Sequence, residues 1–321
     1  MRKEKLNDYN LTGSIHTLQL KTTDEAVPVQ EYIDNKTVKK FSRYSDGMTV
    51  SVTLNPNKME GDIFDYGDFK KILKKILSRL GIENYNLMRV DFRLDNYDED
   101  HYEQFQKLNR YLISMMAVSN SVKNKYRTMD LFSQKQISVA IKNEFIELEN
   151  YDRNVKNQIT GNTTELAQAR LEERSKSRQW KELRKGTPEA EELDRLCKEF
   201  VEIWTARWEK AIKCKQQVHD RYNEELVKLY TEGKNAFPVQ FRSLTDFLIQ
   251  YQNCIFCRSQ MIDLLTRLKK VDPSLEYKDP VKKADNFKRR YGIEYFSLHD
   301  VQHAITEIKN ATDLFFEALT E

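Results

Sequence analysis

The chain has 321 residues, of which 39% are hydrophobic and 32% are charged, and its 53 basic and 50 acidic side chains leave a net charge of +3. This length allows two domains with separate cores, and the nearly balanced charge excludes a polycation, so nucleic-acid binding would have to come from local patches. No apolar run approaches the roughly 18 residues of a membrane span, and the N-terminal MRKEKLNDYN lacks the apolar centre of a signal peptide, which predicts a cytoplasmic protein with no membrane partner.

The first hundred residues alternate between strand and helix patterns. Alternation predicts strands, a Ser45-Asp46-Gly47 turn predicts a hairpin, and apolar residues at helical spacing before Gly81 predict a capped helix. The predicted elements are a strand over Ser14 to Thr22, a hairpin over Phe41 to Leu54, a helix over Phe64 to Leu80, a strand over Asn86 to Asp95 and a helix over Glu99 to Val118.

The strand NLMRVDFRLD, Asn86 to Asp95, has two very different faces. Period two places its apolar residues on one side and two acids with two bases, Arg89, Asp91, Arg93 and Asp95, on the other. That is more charge than a solvated strand usually carries, and it suits a site for metal and phosphate.

Three further strands are predicted over Tyr126 to Phe132, Gln136 to Lys142 and Phe145 to Tyr151, the last with Glu147, Glu149 and Tyr151 on one face. A polar loop from Arg153 to Thr164 follows. Two assignments are possible for Ala167 to Lys176. A strand would put Arg170, Glu172 and Arg174 on one side, whereas the Ala, Leu, Glu and Arg content favours a helix.

The second half is predicted to be helical. A helix beginning at Thr187-Pro188 would run about 45 residues to Gly233, and several shorter helices would follow Pro238. With the change of character near Arg178 to Gly186, we predict an α+β fold: an antiparallel-sheet domain over 1–180, a long linking helix or helices over 181–236, and a helical DNA-binding or dimerisation domain over 237–321.

If the strands share an antiparallel sheet, their polar faces would bring carboxylates and a phenol to one surface. Oxygen ligands favour Mg²⁺ or Mn²⁺, nearby arginines suit phosphate oxygens, and a tyrosine beside a metal-bound phosphate is a candidate nucleophile. The same charges also fit ordinary solvated cross-strand pairs, and spacing alone favours that interpretation.

The order of the motifs RVDFRLD, ELENYDR and ARLEERSK resembles rolling-circle replication initiators of Gram-positive plasmids, phages and integrative conjugative elements. Those proteins have an Arg-x-Asp-x-x-x-Asp strand, a strand ending in Tyr-Asp-Lys and a strand with Arg-x-Glu. The resemblance covers roughly Ile15 to Arg178 and extends more loosely to the helical tail. It departs from the family pattern at Arg153, which replaces Lys.

The resemblance implies a metal-dependent, sequence-specific endonuclease that cuts one DNA strand by transesterification, leaving a 5′-phosphotyrosine. It implies Tyr151 as the nucleophile with Arg153 beside it, and an Mg²⁺ or Mn²⁺ ion. The metal ligands would be drawn from Asp91, Glu172, Glu149, Glu147 and Asp95. Because Arg stays charged, Arg153 is suited to bind phosphate rather than to donate a proton. The predicted DNA-binding residues are Arg89, Arg93, Arg170, Arg174, Lys288, Arg289 and Arg290, the last three from the basic run KKADNFKRRYG, which also fits a solvated face.

Other metal sites are weaker candidates. The histidines are scattered along the chain, so a histidine metal site is not expected, and His299 with His303 fits a solvated or packed helix face better. The four cysteines and the pair Trp204 and Trp208 are expected to be buried core residues.

The predicted partners are therefore origin DNA, single-stranded or as a hairpin nick site, with a homodimer and a host helicase as further candidates. Two alternatives remain open at this point: a non-catalytic DNA-binding initiator or regulator with the same fold, and a helical interaction protein with no nucleic-acid role.

Overall fold

The computed structural model describes residues 10–97, 102–119, 127–129, 138–161, 167–176, 178, 192–236 and 238–319. Its strands are β1 (Leu11–Thr22), β2 (Val38–Arg43), β3 (Val50–Leu54), β4 (Asn86–Asn96), β5 (Arg127–Met129), β6 (Ser138–Lys142), β7 (Ile146–Asp152) and β8 (Ala169–Ser175). They form one antiparallel sheet in the order β2-β3-β1-β4-β8-β7-β6-β5, so β4 and β8 lie at its centre.

Helices flank the strands in the first half and make up the described part of the second half. Between the strands they span Gln30–Asp34, Asn57–Glu60, Tyr66–Leu80, Tyr102–Val118 and Arg153–Thr160. After β8 they span Glu192–Ala211, Lys215–Asn235, Leu244–Gln250, Arg258–Val271, Pro280–Tyr291 and Leu298–Phe315, with 3₁₀ turns at Ile212–Cys214, Gln252–Cys254 and Glu317–Leu319. The predicted α+β class, with a sheet followed by a helical region, is confirmed.

Most local predictions are confirmed to within a few residues. The β2–β3 hairpin forms, the helix before Gly81 ends at Leu80, and Gly81 caps it with a left-handed φ of 70°. The ambiguous segment after residue 167 is the strand β8, because pairing with β4 and β7 on both sides outweighs its helix propensity.

Two predictions about helices need correction. The segment predicted as a polar loop after Tyr151 is a helix as far as Thr160, because Asp152 accepts a hydrogen bond from the Val155 amide at its start and Gly161 ends it with φ 65°. Of the predicted long helix or helices over 181–236, the described part forms two helices separated by the 3₁₀ turn at Ile212–Cys214, so the 45-residue helix is not continuous. The predicted start at Thr187-Pro188, the boundary near 178–186 and the outer residues of the strands over 126–142 lie outside the described residues, apart from Arg178.

The apolar face of the sheet packs against helices from both halves of the chain. Phe92 of β4 lies at this junction, with ring centroids 5.5 Å from Phe200, 6.1 Å from Trp204 and 5.5 Å from Phe316. Trp204 and Trp208 are buried in this core, as predicted. The opposite face of the central strands is therefore left to carry the charged side chains.

Candidate active site

Cross-strand register arranges the charged face in rows that run across β1, β4, β8 and β7. Each row contains one residue from each strand, directly opposite its neighbours. The first row is Thr12, Asp95, Arg170 and Tyr151; the second is Ser14, Arg93, Glu172 and Glu149; the third is Thr17, Asp91, Arg174 and Glu147. Within the rows and between them acids lie next to arginines, so the face is a lattice of opposite charges.

A β-bulge in β1 brings a histidine to this face. The register with β4 shifts between Ile15 and Thr17, which leaves His16 as the extra residue. A bulged strand sends two successive side chains to the same side, so His16 joins Thr17 on the charged face. The Thr17 hydroxyl and His16 Nδ1 are 3.2 Å apart.

The ligand atoms of His16, Asp91 and Glu172 all lie within 4.8 Å of one another, and among the described residues this is the group of acids, histidines and cysteines that could hold a metal ion. Burial, reinforced by Arg93 and Arg170, lowers the pKa of His16 well below its usual value, so its imidazole is neutral and free to bind an ion. Although the histidines are scattered along the sequence, the fold brings His16 beside two of the acids predicted as ligands, Asp91 and Glu172.

This donor set fits a divalent ion. A neutral imidazole and two carboxylates suit Mn²⁺, and Mg²⁺ also accepts the two oxygen ligands. Burial raises the pKa of Asp91 to about 6, while two hydrogen bonds of 2.6 Å from Arg89 oppose that rise. Burial also favours protonation of Glu172, but Arg174 and Arg170 outweigh it and hold its pKa below the usual value. Both carboxylates are therefore charged at neutral pH.

Tyr151 is 4% exposed, and its hydroxyl donates a 2.8 Å hydrogen bond to Glu172 Oε2. Arg170 Nη1 donates to the same phenolic oxygen at 3.3 Å. Burial raises the pKa of Tyr151 above its usual value, an effect that Arg170 opposes and Glu172 reinforces. The candidate nucleophile is thus a neutral phenol in contact with one of the three candidate ligands.

Two acids predicted as ligands are instead held by an arginine. Arg174 donates from Nη1 to Glu147 at 2.7 Å, from Nη2 to Glu149 at 2.6 Å and from Nε to Glu172 at 3.0 Å. Glu147 and Glu149 do not join the His16 cluster. Arg174 is consequently the link between the outer acids and the cluster rather than a free phosphate-binding group.

Asp95 is also hydrogen-bonded by arginines and lies outside the His16 cluster, so its role as a ligand stays a prediction. It accepts hydrogen bonds of 2.5 and 2.8 Å from Arg170 and lies 3.2 Å from Arg93 Nε. Burial raises its pKa, but Arg170 and Arg93 outweigh burial and hold it below its usual value. The side chains of Arg170 and Arg93 are only 2% and 3% exposed and are paired with Asp95, so their predicted contact with DNA stays a prediction.

Exposed cations border the cluster where the sequence did not indicate them. Lys39 donates to Thr17 Oγ1 at 3.0 Å, and Lys156 lies over the Tyr151 ring at 4.4 Å from its centroid. Burial lowers the pKa of Lys39, whereas Asp91 and Glu172 raise it, which reflects how near the ammonium group is to the cluster. Both lysines belong to segments that lack a recognisable motif, so only the fold identifies them.

Arg153 lies in the first turn of the helix that Asp152 caps. It is buried, with its guanidinium 5.8 Å from the centroid of the Tyr151 ring, so the structure brings the two predicted catalytic residues together. Arg89 pairs with Asp91 but remains 39% exposed.

The basic run of the tail lies outside these rows, on the Pro280–Tyr291 helix. Lys288, Arg289 and Arg290 are exposed in its last turn, while Phe287 is buried. His299 and His303 stack at 6.3 Å on a helix surface, and none of the four cysteines, all of them in the described part of the chain, forms a disulfide. No helix in the described part of the chain combines the length and apolar character needed to cross a membrane.

No protein-family model matches the chain, and no curated protein matches it. A solved structure described as "Structure of Rolling Circle Replication Initiator Protein from Geobacillus stearothermophilus" is similar over 52% of this chain and 74% of that chain, with 14% sequence identity and a TM-score of 0.30. A likeness of this size assigns no residue roles, so the function must be argued from the site itself.

Proposed function

We propose that the chain is a metal-dependent DNA-nicking enzyme that starts rolling-circle replication, with Tyr151 as its nucleophile. One observation carries this proposal: the Tyr151 hydroxyl is hydrogen-bonded at 2.8 Å to Glu172, a member of the His16, Asp91 and Glu172 cluster. The motifs that resemble rolling-circle initiators lie on three separate strands, and the sheet gathers their acids and their tyrosine into adjacent rows.

His16, Asp91 and Glu172 would hold the ion, which we propose to be Mn²⁺ or Mg²⁺. When bound, such an ion polarises a phosphodiester oxygen and stabilises negative charge on phosphorus and on a phenolate. Asp95, Glu147 and Glu149 lie outside the group whose ligand atoms fall within 4.8 Å of one another, so we do not propose them as ligands.

The residues of the chain prepare the phenol for attack. Glu172 Oε2 accepts the phenolic proton's hydrogen bond and fixes the direction of that O–H, while Arg170 Nη1 favours the phenolate as the proton leaves. In the cleavage step a bond forms between Tyr151 Oη and phosphorus, the bond from phosphorus to the 3′ oxygen breaks, and that oxygen takes up a proton. The 5′ phosphate remains on the tyrosine as an ester.

The phosphate groups of the DNA would be held by the cationic side chains that are exposed at the edge of the charged face. Lys39 and Lys156 lie on either side of the cluster, and Arg89 is partly exposed beside Asp91. Lysine is a compact charge that can follow a flexible backbone, whereas Arg170 and Arg93 are fixed in buried pairs. The Lys288 to Arg290 run would supply a second, sequence-independent contact with duplex DNA.

A non-catalytic DNA-binding protein of the same fold is the second candidate. It is favoured by the near-complete pairing of the site carboxylates with arginines, which a purely structural charge lattice would also show, and by the raised pKa of Tyr151. A homodimer and a host helicase remain predictions.

Covalent trapping tests the proposal. The full chain would be incubated with Mn²⁺ and a single-stranded origin library, and adducts would be located by peptide mapping. We expect the wild-type adduct to map to Tyr151 and to be absent from Tyr151→Phe. Tyr222→Phe is the matched control, because it also removes a buried hydroxyl, one bonded to Ser114 at 2.7 Å, but away from the site. An adduct on another tyrosine, or none with any divalent ion, would reject the nicking proposal.

A further inference from the structure

Two aromatic side chains border the charged face at the end of β4. Phe64 is 46% exposed and meets Tyr97 edge to face, with ring centroids 6.5 Å apart. Tyr97 follows β4 two residues after Asp95, and its amide donates to the Asn10 carbonyl at 3.3 Å. The strand alternation therefore continues to Tyr97, which lies on the same side of the sheet as Asp95.

Hydrogen bonds hold the loop that carries Phe64 in place. The Ile63 amide donates to Asn57 Oδ1 at 2.9 Å, and Asn57 Nδ2 in turn donates to the Ile15 carbonyl of β1 at 2.8 Å. On the other side of the loop, Arg93 donates to Asp62 at 2.5 Å. Hydrogen bonds thus tie this loop both to the bulged strand and to the charged lattice, while one large apolar ring is left facing solvent.

The pair lies close to the candidate nucleophile. Tyr97 is one pleat repeat beyond the row of Asp95, and Tyr151 is two strands away in that same row, so strand geometry puts the two tyrosine backbones about 12 Å apart. Because the Phe64 ring centroid is 6.5 Å from that of Tyr97, a single strand with one phosphate at Tyr151 can place a nearby nucleotide at the Phe64 ring.

We propose that Phe64 and Tyr97 form a stacking subsite for an unpaired base of the DNA strand that is cut. This inference rests on the proposed function and adds which residues of the chain contact a base near the cut. An exposed aromatic ring in a fixed position can stack on any unpaired base. In a duplex the faces of each base are covered by the neighbouring bases, so this stacking requires a single strand.

Binding measurements without cleavage test the subsite. The affinity of the full chain for a short, labelled single-stranded oligonucleotide of mixed sequence would be measured by fluorescence anisotropy in EDTA. We expect Phe64→Leu to weaken binding about 5- to 100-fold. Tyr44→Leu is the matched control, since Tyr44 is also 46% exposed but lies at the β2–β3 turn, and its affinity should equal that of the wild type.

An abasic strand of the same length separates stacking from other effects. Phe64→Leu and the wild type should bind the abasic strand equally, because that strand has no base to stack on the Phe64 ring. An equal loss on the abasic strand, an unchanged affinity for the normal strand, or a change in sedimentation that shows Phe64 in contact with a second copy of the chain would overturn the subsite. The binding assay contains no metal and involves no cleavage. Its result therefore does not depend on whether Tyr151 forms an adduct, and the adduct experiment does not depend on the binding result.

Discussion

Replacement of Asp95 by Asn separates a structural role from a metal-binding role. The side chain is 1% exposed and stands between Arg170 and Arg93, both of them buried. Asn preserves the shape and one acceptor oxygen but removes the charge that balances the two guanidinium groups.

The expected cost follows from that burial. Removing one partner of a buried ion pair leaves an uncompensated charge and costs about 3–5 kcal/mol. Asp95→Asn should therefore lower the free energy of unfolding by about this amount and the Tm by several degrees. Mn²⁺ affinity should change little in the fraction that stays folded, because Asp95 lies outside the three-residue cluster.

Urea unfolding in EDTA and isothermal titration with Mn²⁺ measure the two quantities on the same protein. The comparison variant is Glu172→Gln, which should lose Mn²⁺ affinity. If Asp95→Asn instead kept the wild-type stability and lost Mn²⁺ binding, Asp95 would be a ligand and the assignment made from its arginine contacts would be refuted.

Three further predictions address the ion, the tail and the core. Mn²⁺ affinity should be constant above pH 6 and fall about tenfold per pH unit below it, because Asp91, with a pKa of about 6, must lose its proton to bind the ion. Asp91→Asn should remove this pH dependence together with most of the affinity, and calorimetric titration at several pH values measures both. Changing Lys288, Arg289 and Arg290 to Glu should flatten the slope of log affinity against log salt for duplex DNA by about 0.9 per lost phosphate contact, and an unaltered slope would make this run a solvated face. Trp204→Ala should reduce the free energy of unfolding by about 3–5 kcal/mol in urea denaturation, and a cost below 1 kcal/mol would contradict its place in the core.

Local periodicity was sufficient to predict most of the strands and helices. The two faces of Asn86 to Asp95 follow from alternation alone, and the helix ending at Leu80 follows from apolar spacing and Gly81. The helix after Tyr151 is hard to predict because it spans eight residues with only two apolar side chains, Val155 and Ile159, although Asp152 and Gly161 mark its two ends. Its capping residues were the signal that could have found it.

The break in the long second-half helix has a different origin. Its apolar residues continue at helical spacing through Ile212, so periodicity predicts one helix where the structure has a 3₁₀ turn. The helices on either side and the turn itself contact the Tyr102–Val118 helix, and such tertiary contacts are not visible in the local apolar spacing.

For the site, the sequence by itself determined which residues are charged and which of them share a strand face, because side chains alternate with period two along any strand. It did not determine which acid each arginine neutralises, since Asp95 and Arg170, or Glu149 and Arg174, become neighbours only through the register of β4, β8 and β7. Nor did it indicate His16, which reaches Asp91 and Glu172 because a bulge in β1 adds one residue opposite β4. Register and bulges depend on hydrogen bonds between segments far apart in the chain, and for that physical reason only the tertiary structure decided which side chains can bind a metal and which are already paired.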